Sequence, residues 1–339
     1  MDKLLMERTA RAMVAPGKGL LAADESAGTA KKRFDTIGVE STEENRRAYR
    51  EMLFTTPKLS EAVSGVILFD ETLRQSTQDG TNFAAYLAKN GIIPGIKVDA
   101  GAKDMPLHPG EKVTEGLDNL PARMKEYFDM GARFAKWRAV ITIGEGIPTT
   151  ACLEANAHAL ARYSAACQEA SIVPIVEPEV LLDGTHSAEV SEAVHEATLE
   201  ALFTELARQD VSLEHVILKA SMVVSGKENA KQAPVQEVAE RTVRVLKRTV
   251  PAALPGVVFL SGGQADLDAT AHLDAMNRMG PMPWPLTFSY SRALQAVALK
   301  AWGGKASNVA AAQKAFFHRA RMNSLASLGK WSAGEEKAA

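Results

Sequence analysis

Residues 134–138 read Phe-Ala-Lys-Trp-Arg, and residues 173–179 read Val-Pro-Ile-Val-Glu-Pro-Glu. Between them Leu153, Ala157, Leu160 and Ala161 fall on one helical face. Two short apolar runs joined by a helix of that length make a strand–helix–strand unit, and such a connection requires parallel strands. The alternation continues in both directions. Counting Phe134–Arg138 and Val173–Glu177, there are eight runs; the others are Gly19–Ala23, Gly65–Phe69, Ile93–Val98, Val216–Lys219, Val257–Ser261 and Leu286–Tyr290. They begin about 38 residues apart on average, the size of one strand–helix unit. Eight such units predict an α/β chain folded as a closed (β/α)8 (TIM) barrel. The competing open, doubly wound sheet carries G-x-G-x-x-G after an early strand, and that motif is absent.

The remaining punctuation agrees. Val235, Val238, Val245 and Leu246 lie near one face of a helix, with Arg241, Arg244 and Arg248 elsewhere. Ser187, with Glu189 in the following turn, reads as a helix N-cap. Lys3–Val14 reads as an amphipathic helix with Leu4, Leu5 and Ala10 or Met13 on one side. No linker or low-complexity segment divides the chain, so residues 1–339 are expected to form one domain. After Trp331 nothing apolar is larger than alanine, so a mobile tail is expected over about 331–339.

Composition narrows the function classes. Apolar residues make up 46% and charged residues 24% of the 339, which excludes a disordered or fibrous chain. With 39 Lys+Arg against 41 Asp+Glu there is no global attraction to nucleic acid or to an anionic membrane. No apolar run approaches the ~20 residues of a membrane span. Two cysteines, Cys152 and Cys167, make no disulfide framework and suit a reducing compartment. Asp2 and Glu7 are unlike an organelle leader, so a cytoplasmic protein is expected.

The charges near the strands are unevenly placed. Run one ends in Asp24, run three contains Lys97 and precedes Asp99, and run four ends Lys136-Trp137-Arg138. Run five ends Glu177-Pro178-Glu179, run six ends in Lys219, run seven ends Ser261-Gly262-Gly263, and run eight leads into Ser289-Tyr290-Ser291-Arg292. One charge at a strand end is ordinarily a solvated terminus. Seven converging ends mark the C-terminal mouth, where barrels of this kind hold their active sites. Lys219 closes an apolar strand. Desolvation and a second ammonium, Lys136, would both disfavour its charged form and yield a nucleophilic amine able to attack a carbonyl. The alternative is that Lys219 only pairs with Glu177 or Glu179. Asp24, Glu177 and Glu179 suit proton transfer, or serve as salt-bridge partners for the surrounding cations. Ser261-Gly262-Gly263, before a helix beginning near Gln264, presents backbone N–H groups to an anion, and Arg292 opens the next helix. Ser26, Gly28 and Thr29 with Lys97 and Arg33 make either a second anion site or a plain capped loop.

Two readings fail. Leu260-Ser261-Gly262-Gly263-Gln264 spells a transporter-ATPase signature, but no G-x-x-x-x-G-K-[ST] accompanies it. The seven histidines show no paired metal spacing; His158 and His195 read as surface or packing residues, and the cysteines as small core residues.

From Gly19 to about Lys330 the chain resembles the class I fructose-1,6-bisphosphate aldolases. The matching stretches are LAADES (21–26), TEENRRAYR (42–50), GVILF.ETL (65–73), GIKVD (95–99), FAKWR (134–138), IVPIVEPE (172–179), FLSGGQ (259–264), FSY.RALQ (288–295) and KAWGGK (300–305). The resemblance implies reversible cleavage of fructose 1,6-bisphosphate to dihydroxyacetone phosphate and glyceraldehyde 3-phosphate. It assigns the Schiff base to Lys219, proton shuttling to Glu177, removal of the hydroxyl proton to Asp24, and a supporting charge network to Lys136 and Glu179. Arg138 and Lys97 would contact the substrate toward its 6-phosphate with Ser26 and Thr29. Ser261, the Gly262 backbone, Ser291 and Arg292 would hold the 1-phosphate. The iminium serves as electron sink, so neither metal nor cofactor is expected; the partner is the phosphorylated sugar, and the assembly a homotetramer. Three departures stand out: Ala220-Ser221 where Pro-Asn is common after the lysine, Ser291 where glycine is common, and a C-terminus without the family's tyrosine. The competing functions are a Schiff-base aldolase for another phosphorylated ketose and a non-catalytic scaffold. Retention of Asp24, Lys136, Glu177 and Lys219 together argues against the scaffold.

Overall fold

The computed structural model describes residues 1–337. Eight parallel strands close into a barrel: β1 Gly19–Ala23, β2 Val63–Leu68, β3 Ile93–Lys97, β4 Phe134–Ile141, β5 Val173–Val180, β6 Ile217–Ala220, β7 Gly256–Phe259 and β8 Leu286–Tyr290. Each strand pairs with its sequence neighbours, and β8 returns to β1. All eight expected runs are strands. β2 starts two residues earlier than its run, β4 and β5 extend three residues past theirs, and Ser261 lies beyond β7.

The barrel is packed in two apolar layers. Side chains pointing outward, Trp137, Val176, Leu218 and Phe259 among them, join the helices in one large cluster. Side chains pointing inward at the N-terminal end, Leu20, Ile67, Phe134, Ile175, Ile217 and Val258, form a second. The helix Lys3–Met13 plugs that end with Met6, Ala10 and Met13. Its buried face is therefore turned from the expected one, for Leu4 is 56% exposed and Leu5 only partly buried. Likewise Val235 is exposed at the start of the helix Val235–Thr249, while Val238, Val245 and Leu246 are buried. Gly95 explains how Phe134 fits inside. A Cβ at 95 would lie 2.2 Å from the Phe134 ring, so the ring occupies the space a side chain would need.

Two features were not expected. Residues Ala102–Asp104 and Lys112–Thr114 form a small antiparallel hairpin after β3. The segment after Trp331 is docked, not free. Glu336 accepts from Arg319 Nη1 at 2.6 Å and from Trp331 Nε1 at 2.9 Å, and Glu335–Lys337 form a single 3-10 turn. A mobile tail was expected over about 331–339; the residues up to Lys337 lie in this arrangement, and Ala338 and Ala339 lie outside the described residues. The segment is polar, but its carboxylate neutralises a guanidinium buried in the helix Val309–Ser327, a long-range partner that composition does not show.

Candidate active site

Period-two alternation carries the charges inward. Lys136 and Arg138 on β4 share the barrel side with Glu177 and Glu179 on β5, while Trp137 and Val176 face the helices. Strand register sets Lys97 beside Lys136 and Arg138 beside Glu177. The apolar lower layer excludes water beneath them, so the charges gather at the C-terminal mouth around a cavity of about 1150 Å³. Asp24, Ser26, Thr29, Lys97, Lys136, Arg138, Glu177, Glu179, Lys219, Ser261, Gly262, Ser291 and Arg292 all line it. Every site residue expected from sequence is thus brought together.

The centre is a chain of alternating charge. Lys219 Nζ lies 3.0 Å from Glu177 Oε1, Lys136 Nζ lies 3.1 Å from Glu177 Oε2, and Lys136 Nζ lies 2.8 Å from Asp24 Oδ2. Lys136, Glu177 and Lys219 are buried, and Asp24 is largely so. Burial alone would raise the carboxyl pKa values, but the adjacent ammonium groups hold Asp24 and Glu177 below the usual carboxylate range. Burial would likewise lower Lys136, but Asp24 and Glu177 keep it above the usual lysine range. Lys136 is therefore a fixed cation and Asp24 a fixed anion at neutral pH. Glu177 thus turns Oε1 to Lys219 and Oε2 to Lys136 and stands between the two ammonium groups. The sequence reading set Lys136 against Lys219 as like charges; the structure places Glu177 between them. Glu179 is not a partner of Lys219. It pairs with Arg138, whose guanidinium it holds firmly protonated despite burial.

Groups able to pair with an anion line the mouth in two clusters. On one side Ser261-Gly262-Gly263 turns with φ of 58° and 100° at the glycines, and the following helix begins at Asp266, two residues later than expected. Arg292 opens the helix Arg292–Trp302 beside this turn, exposed and without an acidic partner among the described residues. On the other side Ser26 caps the helix Ala27–Asp35, its Oγ accepting from Thr29 N at 3.4 Å. Lys97 pairs there with Asp99 Oδ1 at 2.7 Å. The capped-loop reading and the cavity-lining reading of Ser26 and Thr29 both hold. Among the described residues no group of three or more His, Cys, Asp and Glu gathers to hold a metal; the groups at the mouth are largely cations, which suit an anionic ligand.

Sequence reasoning missed Glu25. It is buried, and it accepts from Arg50 Nη2 at 3.0 Å, from Arg33, from Ser291 Oγ and from Gln295 Nε2 at 3.1 Å. An acid followed directly by another acid after an apolar strand was the available signal. Lys32 and Lys300 on the rim were also missed, because exposed lysines on helices carry no distinguishing pattern. The departures at 220–221 find a structural use: Ser221 Oγ bridges Val180, donating to its carbonyl and accepting from its N–H, both at 3.0 Å.

A buried chain of alternating lysines and carboxylates, in a barrel mouth lined by further cations, suits carbonyl chemistry on an anionic substrate. Comparison with known proteins makes this specific. Residues 5–339 match the family model described as glycolytic fructose-bisphosphate aldolase class-I, and the chain belongs to that family. It is 62% identical over 327 residues to a "probable fructose-bisphosphate aldolase class 1" of Xanthomonas campestris pv. campestris, covering 96% of this chain and 98% of that one. It is 53% identical to fructose-bisphosphate aldolase 5, cytosolic, of Arabidopsis thaliana, over 98% and 92% of the two chains. Among solved structures, fructose-bisphosphate aldolase from Plasmodium falciparum, in complex with TRAP and a small-molecule inhibitor, superposes with a TM-score of 0.96 at 50% identity, covering 98% and 96%. The activity is that of a class I fructose-bisphosphate aldolase. Among the described residues no helix is long and apolar enough to cross a membrane.

Proposed function

We propose that Lys219 forms the Schiff base and that the charge chain Lys219–Glu177–Lys136–Asp24 is the catalytic unit for fructose 1,6-bisphosphate. The observation that carries this reading is that Glu177 holds one oxygen against each lysine, at 3.0 and 3.1 Å. Glu177 takes a proton from Lys219, whose freed amine attacks the C2 carbonyl carbon. Glu177 returns the proton to the C2 oxygen to give the carbinolamine, then carries a second proton from the attached nitrogen to that hydroxyl, which leaves as water and gives the iminium. Asp24, held ionised by Lys136, takes the 4-hydroxyl proton. The C3–C4 bond breaks, its electron pair moves toward the iminium nitrogen, and glyceraldehyde 3-phosphate departs from the enamine. A water held by Glu177 or Glu179 protonates C3, and hydrolysis of the iminium releases dihydroxyacetone phosphate.

Arg138, Lys97, Ser26 and Thr29 contact the 6-phosphate half of the substrate in this reading. Ser261, the Gly262 backbone, the Ser291 backbone and Arg292 hold the 1-phosphate. Glu179 pairs with Arg138 and positions its guanidinium. The name of the Arabidopsis relative supports a cytoplasmic location, and the resemblance supports a homotetramer, which sedimentation of the purified protein tests. The chemistry is tested by Lys219→Met, which removes the amine while keeping an unbranched apolar stem: cleavage should be abolished.

A further inference from the structure

Ser291 opens the helix Arg292–Trp302 as its N-cap, yet its side chain accepts no capping hydrogen bond. The hydroxyl instead donates to Glu25 Oε1 at 2.5 Å. That same oxygen accepts from Arg33 Nη1 and from Gln295 Nε2, while Oε2 is held by Arg50. Glu25 is fixed in place: its side chain and that of Arg50 are 5% and 3% exposed. Arg33 is the looser member, 20% exposed and lining the mouth, and it gives only Nη1 to a protein acceptor among the described residues. One carboxylate oxygen therefore joins the start of the helix Arg292–Trp302 to an arginine one turn beyond Thr29 on the helix Ala27–Asp35.

We propose that Ser291 is a specificity-determining positioning residue, whose hydroxyl shares Glu25 with Arg33 and so lowers the cost of turning the Arg33 guanidinium toward the second phosphate of a bisphosphate. The physical basis is the sharing of one acceptor. Each donor to a carboxylate oxygen reduces the charge available to the next, and a bond to an ionised group is among the stronger hydrogen bonds. With three donors on Oε1, Arg33 is released at low cost. Without the Ser291 hydroxyl, only Gln295 shares that oxygen with Arg33, and Arg33 is held there more tightly. Glycine at 291 could not supply this competition.

The inference rests on the proposed assignment of the two phosphate sides, and the experiment separates the two. KM for fructose 1,6-bisphosphate and for fructose 1-phosphate is measured in the unaltered protein, Ser291→Ala, Ser291→Thr, Arg33→Ala and the double variant Arg33→Ala/Ser291→Ala. Arg33→Ala should raise the ratio of the two KM values in favour of the 1-phosphate. Ser291→Ala should raise the same ratio roughly tenfold, the scale of one hydrogen bond to a charged group, and Ser291→Thr, which keeps the hydroxyl, should restore it. In the Arg33→Ala background Ser291→Ala should shift the ratio no further. A shift of equal size in that background, or an unaltered ratio in Ser291→Ala alone, overturns the inference. An unaltered ratio in Arg33→Ala overturns it as well. The assignment of Lys97, Arg138, Ser26 and Thr29 to the 6-phosphate is read separately: if Lys97→Ala leaves the ratio unaltered, that assignment fails too.

Discussion

Arg292→Ala should separate ligand binding from folding. Arg292 stands exposed at the first position of its helix, beside the Ser261–Gly263 turn, and no acidic side chain among the described residues pairs with it. Removing it therefore breaks no ion pair of the free protein, and the melting temperature should move by no more than about 1 °C. In the complex, the lost contact is a charge-assisted bond to phosphate worth about 1.5–3 kcal/mol. At 1.4 kcal/mol per factor of ten this is roughly 10- to 150-fold in KM for fructose 1,6-bisphosphate. The assay is steady-state cleavage of the bisphosphate and of a ketose without the 1-phosphate, with a thermal melt of each protein. The second substrate should be affected far less. Equal damage to both substrates, or a melting temperature several degrees lower, would refute the reasoning by making Arg292 a structural residue.

Other perturbations probe the rest of the account. Lys136→Met leaves Asp24 and Glu177 buried without their shared cation, so it should cost roughly 3–5 kcal/mol in urea unfolding at pH 7 along with activity; a variant as stable as the parent would contradict the charge chain. Glu336→Gln weakens the partner of buried Arg319 and should lower stability by about 1–3 kcal/mol, and truncation after Trp331 should cost at least as much; an unaltered melt would mean that the docked segment contributes nothing. Burial holds His195 and His272 near pKa 4, against about 6.5 when unfolded, so their contribution is complete above pH 6.5 and is lost as pH falls toward 4. Between pH 7.5 and 5 each should remove roughly 2 kcal/mol of unfolding free energy, and His272→Gln should flatten that slope.

The barrel was legible because each strand is a local apolar run followed by a helical pattern, and because a closed barrel aligns its strand ends. That alignment also made the site legible: Lys136, Glu177 and Lys219 can be placed at one mouth without knowing any contact. What sequence cannot give is which charge sits next to which. Lys136 looked like a repulsive neighbour of Lys219, but two-residue alternation and register put Glu177 between them. Glu25 escaped notice because its meaning lies in Arg50, Ser291 and Gln295, the latter two more than 250 residues away. The docked C-terminal segment was missed for a related reason, since polarity marks a chain as soluble but does not show that Arg319 needs a carboxylate. The hairpin at 102–114 has strands of three residues, too short to leave a periodic trace.

The central claim is that Lys219 carries the substrate as an imine. Incubation with dihydroxyacetone phosphate followed by borohydride should convert one lysine to a stable secondary amine, and peptide mass spectrometry should place the added mass on Lys219. Lys219→Met should take up no label and cleave no bisphosphate. Labelling at Lys136, or full cleavage by the Lys219→Met protein, would contradict the account.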